Sequence, residues 1–144
     1  MKAGATKRFV VDASMTLAWC FQDETTPFTE AVLNSLLGDS EAVAPAVWPL
    51  EVANALLVSE RRKRITTADV SAVLKRIADL RITVDPIRVH DAFGTILFVA
   101  RKDQLTEYDA SYIELALREG LPLATLDSRL RDAARNNGVP LIRA

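Results

Sequence analysis

Four acids in this chain stand where local sequence can aim a carboxylate: Asp12, Glu51, Asp109 and Asp127. Asp12 and Asp127 each follow a short apolar run directly, so both can project from the end of a strand. Glu51 falls in the first turn of a helical pattern, and Asp109 stands three residues after Thr106. Each position also has an ordinary structural reading. Aspartate is favoured as an N-cap where a strand gives way to a helix, and an acid in a first turn suits the helix dipole. Thr106 to Asp109 has capping-box spacing, and Thr66 to Asp69 offers the same spacing with no reason to suspect chemistry.

Other kinds of chemistry are poorly supplied. Cys20 is the only cysteine and His90 the only histidine, so there is no intrachain disulfide, no zinc site built from spaced Cys or His, and no histidine pair for acid and base catalysis. Cys20, between Trp19 and Phe21, reads as a buried thiol, and His90 as a structural residue at a helix start. The net charge of −1 neither proposes nor excludes nucleic acid. Local clusters matter more: Arg61, Arg62, Lys63 and Arg64 form one run, while Arg129, Arg131 and Arg135 recur near the end of the chain. No apolar stretch has the length of a signal-peptide core or a membrane span, and the lone cysteine suits a reducing compartment, so the expected location is cytoplasmic, away from any membrane.

The elements that must position the acids can be read from periodicity and punctuation. Residues 1–6 read as a polar tail, and 8–11 as a strand ending at Asp12. Helices are expected over 15–22 and 28–37, the second opened by Thr26-Pro27 and closed by Gly38. A strand over 41–44 precedes a helix over about 49–62, with Leu50, Ala53, Leu57 and Arg61 along one face. A helix from Thr66-Thr67 carries Val70, Val73, Leu74, Ile77 and Leu80 as a one-sided stripe. After a strand over 82–84, residues 89–100 are apolar on nearly all faces, which predicts a helix that is central in the core or shared with a partner chain. Residues 106–118 form a helix stopped at Gly120, 123–126 a strand, 128–136 a helix and 140–142 a last strand. Short apolar strands alternating with helices call for a parallel sheet covered on both faces, hence an α/β class with one core, and ligands in such sheets sit beyond the carboxyl ends of the strands.

Taken together, Asp12-Ala-Ser14 after a strand, Glu51 within Pro49-Leu-Glu-Val-Ala-Asn-Ala-Leu56, Tyr108-Asp109-Ala-Ser-Tyr-Ile-Glu-Leu-Ala116 and Leu123-Ala-Thr-Leu-Asp127 resemble the PIN-domain family. More narrowly they resemble the VapC-type toxin ribonucleases of toxin-antitoxin modules. The resemblance runs in order from Phe9 to Ile142 and implies one PIN domain over 7–144, a three-layer α/β/α fold with a parallel sheet of order 3-2-1-4-5. It further implies that Asp12, Glu51, Asp109 and Asp127 bind Mg2+ or Mn2+ and are the catalytic residues, supported by Ser14, Asn54 and Thr125. Oxygen ligands without His or Cys suit such hard ions, which activate water against a phosphodiester and leave a 5'-phosphate and a 3'-hydroxyl. The implied partners are an RNA substrate, a cognate antitoxin and a second copy of the chain.

Trp48 and Tyr112 are open to stacking on a base, to core packing or to an antitoxin groove. Arg129 is the best-placed residue to position RNA. The rival readings are a PIN-like scaffold that binds without catalysis and an aspartate-based phosphotransfer enzyme. Among the latter, haloacid dehalogenases want a second Asp where Ser14 stands, and response regulators a late Lys, whereas Lys102, the last lysine, precedes Asp127.

Overall fold

The computed structural model describes residues 7–143; the tail expected over 1–6 lies outside them. Four parallel strands, β1 (Arg8–Val11), β2 (Glu41–Pro45), β3 (Ile82–Asp85) and β4 (Leu123–Ala124), lie in the order β3-β2-β1-β4. Val10 pairs with Val43 on one side and with Leu123 on the other, so β1 lies inside the sheet, and its Phe9, Val10 and Val11 are all buried. Beyond β4, residues 140–142 add one parallel bridge, Leu123 to Leu141. This is the fifth strand expected from the sequence, reduced to a bridge because Pro140 has no N–H to give and only its carbonyl joins the ladder, accepting from the Leu123 amide at 2.9 Å.

The helices are α1 (Ala13–Ala18), α2 (Pro27–Leu37), α3 (Trp48–Arg61), α4 (Thr67–Ala78), α5 (Val89–Phe93), α6 (Thr95–Asp103), α7 (Glu107–Glu119) and α8 (Ser128–Asn136). Thr26 opens α2 with a reciprocal capping box to Thr29, and Pro27 occupies the first turn, where no N–H is needed. α7 lies against β1, β2 and β4. Every residue from Ala110 to Ala116 is buried, because the small side chains of Ala110, Ser111 and Ala116 admit the sheet on one side and neighbouring helices on the other.

Four expectations about elements are corrected here. The helix expected over 15–22 stops at Ala18, and a turn at Trp19-Cys20 and a 3-10 turn over Gln22–Glu24 follow it. The face of α3 read as apolar, with Leu50, Ala53, Leu57 and Arg61, points outward, and Leu50 is 73% exposed. The buried stripe is Trp48, Val52 and Leu56 at i, i+4 and i+8; starting the helix at Pro49 hid Trp48, the largest member of the stripe. The helix expected over 89–100 is two helices broken at Gly94, where a Cβ would stand 2.7 Å from the His90 carbonyl oxygen. It is not all-round buried either. Ile96, Val99 and Ala100 face the core, while Phe93 is 77% and Phe98 64% exposed. The stretch of helix buried on all sides is 110–116 of α7.

Candidate active site

All four acids lie at chain positions just past the carboxyl end of a strand or in the first turn of a helix. Asp12 follows β1 directly and caps α1 with a side chain that accepts from the Met15 amide at 2.9 Å. It is only 2% exposed. The Ser14 hydroxyl reaches both of its carboxylate oxygens at 2.8 Å, and the Thr125 hydroxyl donates to Oδ2. These hydroxyls are themselves held: Leu126 N–H donates to Ser14 Oγ at 2.9 Å, Asp127 N–H to Thr125 Oγ1 at 3.0 Å, and the two oxygens lie 3.3 Å apart. The turn after β4 is thereby fastened to the start of α1. This is why the strand expected over 123–126 stops at Ala124: the next amides bond to side chains instead of to a neighbouring strand.

Asp127 caps α8, accepting from Arg129 N–H at 2.8 Å and Leu130 N–H at 3.2 Å. The N-cap reading of Asp12 and Asp127 is therefore real, and it leaves room for chemistry, since an N-cap fixes a carboxylate's direction. Asp109, half-buried, has its backbone N–H bonded to Thr106 Oγ1 at 3.1 Å. Asp69 repeats that contact with Thr66. Glu51, half-buried in the first turn of α3, accepts from the Tyr112 hydroxyl at 2.5 Å.

The environment disfavours charge at this edge. Burial pushes the Asp12 carboxyl up to about 6, against hydrogen bonds from Thr125, Met15 and Ser14 that pull it down, and the charge of Asp127 adds to the rise. Burial raises Glu51 too, opposed by Tyr112 and reinforced by Asp109. Asp109 is raised by burial and then by Asp127, with Thr106 and Arg129 acting the other way. The four acids thus form one chain of mutual repulsion, Glu51 to Asp109 to Asp127 to Asp12.

Oxygen donors in such a field suit a hard divalent cation. Among the described residues no three acids are arranged as a finished cage. Mg2+ does not require one, because it keeps several waters and is commonly held by one or two carboxylates together with substrate phosphates. The donor chemistry fits, and the pairs in electrostatic contact are Asp12 with Asp127, Asp109 with Asp127, and Glu51 with Asp109.

Tyr112 is the residue whose part the sequence did not disclose. It is buried, so it offers no base a stacking face. Its hydroxyl holds Glu51, with the Ala13 backbone amide beside it, and burial and Glu51 raise its pKa, keeping it a neutral donor. The signal available was its place three residues after Asp109, on the same helix face. Trp48 is buried as well; its indole N–H donates to Thr16 Oγ1 at 3.0 Å, and Thr16 donates to the Asp12 carbonyl, tying α3 to α1. Asn54 is exposed one turn beyond Glu51, and no hydrogen bond joins its side chain to the acids among the described residues. His90 lies apart, exposed and 3.2 Å from Asp91. Burial pushes the Cys20 thiol up to about 11, so it stays protonated.

The family model for the PIN domain matches residues 9–136. The chain belongs to the PIN-domain family. Over 92 residues, 62% of this chain and 63% of the relative's length, the PIN chain is 36% identical to Ribonuclease VapC3 of Mycobacterium tuberculosis. Among solved structures it is similar to PAE2754 from Pyrobaculum aerophilum, with a TM-score of 0.68 and 26% identity over 90% of this chain and 87% of that one. It shares its fold with VapC20 of Mycobacterium tuberculosis, a sarcin-ricin loop cleaving toxin, with a TM-score of 0.69 and 14% identity over 94% and 99% of the two chains.

Proposed function

We propose that this PIN domain, spanning residues 7–144, is a VapC-type endoribonuclease, the Mg2+- or Mn2+-dependent toxin of a toxin-antitoxin pair. The observation that carries the reading is the line of four mutually repelling acids, Glu51, Asp109, Asp127 and Asp12, of which Asp12 is buried and held by three donors without a neutralising cation. Its likeness to Ribonuclease VapC3 supports ribonuclease chemistry.

Divalent metal would be held by Asp12, Glu51, Asp109 and Asp127 as one or two ions, each on a pair of these carboxylates with its waters. When bound, it supplies Lewis acidity toward an RNA phosphodiester and a water activated for in-line attack. The chain's own residues prepare the place. Ser14, Thr125 and the Met15 amide fix Asp12, Tyr112 fixes Glu51, and the backbone amides of Arg129 and Leu130 fix Asp127. Without a cation, four carboxylates repel a phosphodiester, so the acid cluster couples RNA engagement at the scissile point to metal.

The exposed apolar side chains of Val89, Phe93 and Phe98 support pairing with a second copy. An apolar cavity of about 330 Å3 beside Trp19, Leu33, Leu37, Ile77 and Leu80 supports docking of an antitoxin segment. No described helix is long and apolar enough to cross a membrane.

Protein freed of its partner should cut susceptible RNA with Mg2+ or Mn2+ and stop when a chelator is added, and calorimetry should show a saturable Mn2+ site. The scaffold reading, favoured by the capping roles of Asp12 and Asp127, requires no saturable Mn2+ heat and no cleavage. Cleavage that persists in chelator would defeat the metal-dependent reading.

A further inference from the structure

We propose that the cleft between α8 and residues 141–143, walled by Arg131, Arg135 and Arg143, binds the phosphodiester backbone of RNA beside the cutting site. The inference rests on the nuclease reading above and adds the surface that holds the substrate.

The cleft encloses about 220 Å3 and is lined by Arg131, Arg135, Leu141, Ile142 and Arg143, with no acid among them. Arg131 and Arg135 stand at i and i+4, so both guanidinium groups rise from one helix face, where like charges repel. Leu141 and Ile142, both half-buried, give these cations a partly apolar floor. A guanidinium on an apolar floor loses water on one side and gains from a phosphate that bonds it in two places. Among the described residues the one ion pair made here, Arg135 to Asp132 at 3.3 Å, joins two largely exposed groups, a class of contact that contributes little. Arg131 and Arg143 make no ion pair among the described residues.

The position follows from α8 itself. The helix starts at Asp127, so Arg131 and Arg135 lie one and two turns on, about 6 and 12 Å along the axis. An RNA strand leaving the acid cluster along this helix meets positive charge at once. The chain needs such a place, because its net charge is −1 and the cutting edge is itself acidic.

In the other basic run, Arg61 to Arg64, one of the four cations is already engaged. Arg64 is engaged by Asp23 at 3.1 Å and Glu24 at 2.7 Å and lies 3.8 Å from the centre of the Phe21 ring. It thus braces the turn between α3 and α4 against the segment after α1.

The test is the salt dependence of binding of a fluorescein-labelled oligouridylate to the full chain in chelator, followed by anisotropy. In the double variant Arg131→Gln/Arg135→Gln, the slope of log K against log salt should fall by about 1.4, at roughly 0.7 per phosphate on a single strand. Arg131→Lys/Arg135→Lys should restore most of the slope, and Arg61→Gln/Arg62→Gln should leave it unaltered. With Mn2+ and a cleavable RNA, the Gln pair should raise KM more than it lowers kcat. An unaltered slope and KM in a Gln pair that melts like wild type would overturn the cleft, as would a drop confined to Arg61→Gln/Arg62→Gln. Wild type that cuts RNA while the Gln pair binds normally removes only the cleft. Wild type that cuts nothing with Mn2+ while the Gln pair loses its salt slope removes the nuclease reading and leaves the cleft standing.

Discussion

Asp12 concentrates the conflict between stability and chemistry, because it is buried like a core residue and has only neutral donors around it. Its folded-state value of about 6 lies above the value near 3.9 of an unfolded aspartate. Below about pH 4 both states are protonated and the carboxyl costs nothing. Between about 4 and 6 only the unfolded chain releases the proton, so stability in chelator should fall as pH rises through that window, by about 3 kcal/mol in all. Urea melts across that range check the sign. Asp12→Asn should therefore melt at the same or a higher temperature than wild type in chelator at neutral pH, yet lose cleavage and most of the stabilisation that added Mn2+ confers on wild type. The gain is limited because the Ser14 and Thr125 hydroxyls, which donate to the carboxylate, must reorient to accept from a new N–H2. Tyr112→Phe tests the neighbouring acid. Loss of its hydroxyl should cost roughly 1–2 kcal/mol and, because that bond lowers the Glu51 pKa, move the acid limb of the pH–rate profile to higher pH. An unmoved limb would separate Tyr112 from the site. At this scale the positions of the four acids were legible in sequence, because strand ends and helix starts are punctuated. Tyr112 was not, because a buried aromatic reads as core until the partner of its hydroxyl is seen.

Elements deliver these side chains through their ends. The turn after β4 and the start of α1 share one set of hydrogen bonds, and Trp48 to Thr16 does the same for α3 and α1. Element types and order could be read from sequence, whereas faces were less secure. In α3 one misplaced starting residue turned the stripe outward, and in 89–100 hydrophobicity could not say which aromatics face solvent. The break at Gly94 was hidden for a different reason: its cause is a close backbone approach, which leaves no periodic trace. Gly94→Ala should force the His90 carbonyl aside and destabilise the fold by about 1–3 kcal/mol, measured by urea unfolding. An unaltered midpoint would show that the junction of α5 and α6 yields freely.

For the whole molecule, the parallel sheet sets the geometry: β1 and β4 are neighbours with Val11 opposite Ala124, so Asp12 and the turn that carries Thr125 and Asp127 leave the same edge although far apart in sequence. The alternation of strands and helices made the α/β class readable, but the order of strands came from family resemblance, since periodicity carries no information on which strands pair. The exposed Val89, Phe93 and Phe98 belong to this scale too. If they join two copies, Phe93→Asp should convert a dimer to a monomer in light scattering, and wild type that is monomeric at every concentration would reject that pairing while leaving the nuclease intact. The central claim is that these four acids direct a metal-activated water at RNA, and the chemistry of the cut ends tests it most directly. RNA cleaved by the wild-type chain with Mn2+ should carry 5'-phosphate and 3'-hydroxyl ends; 5'-hydroxyl ends paired with 2',3'-cyclic phosphates would contradict it, because they require attack by the RNA's own hydroxyl.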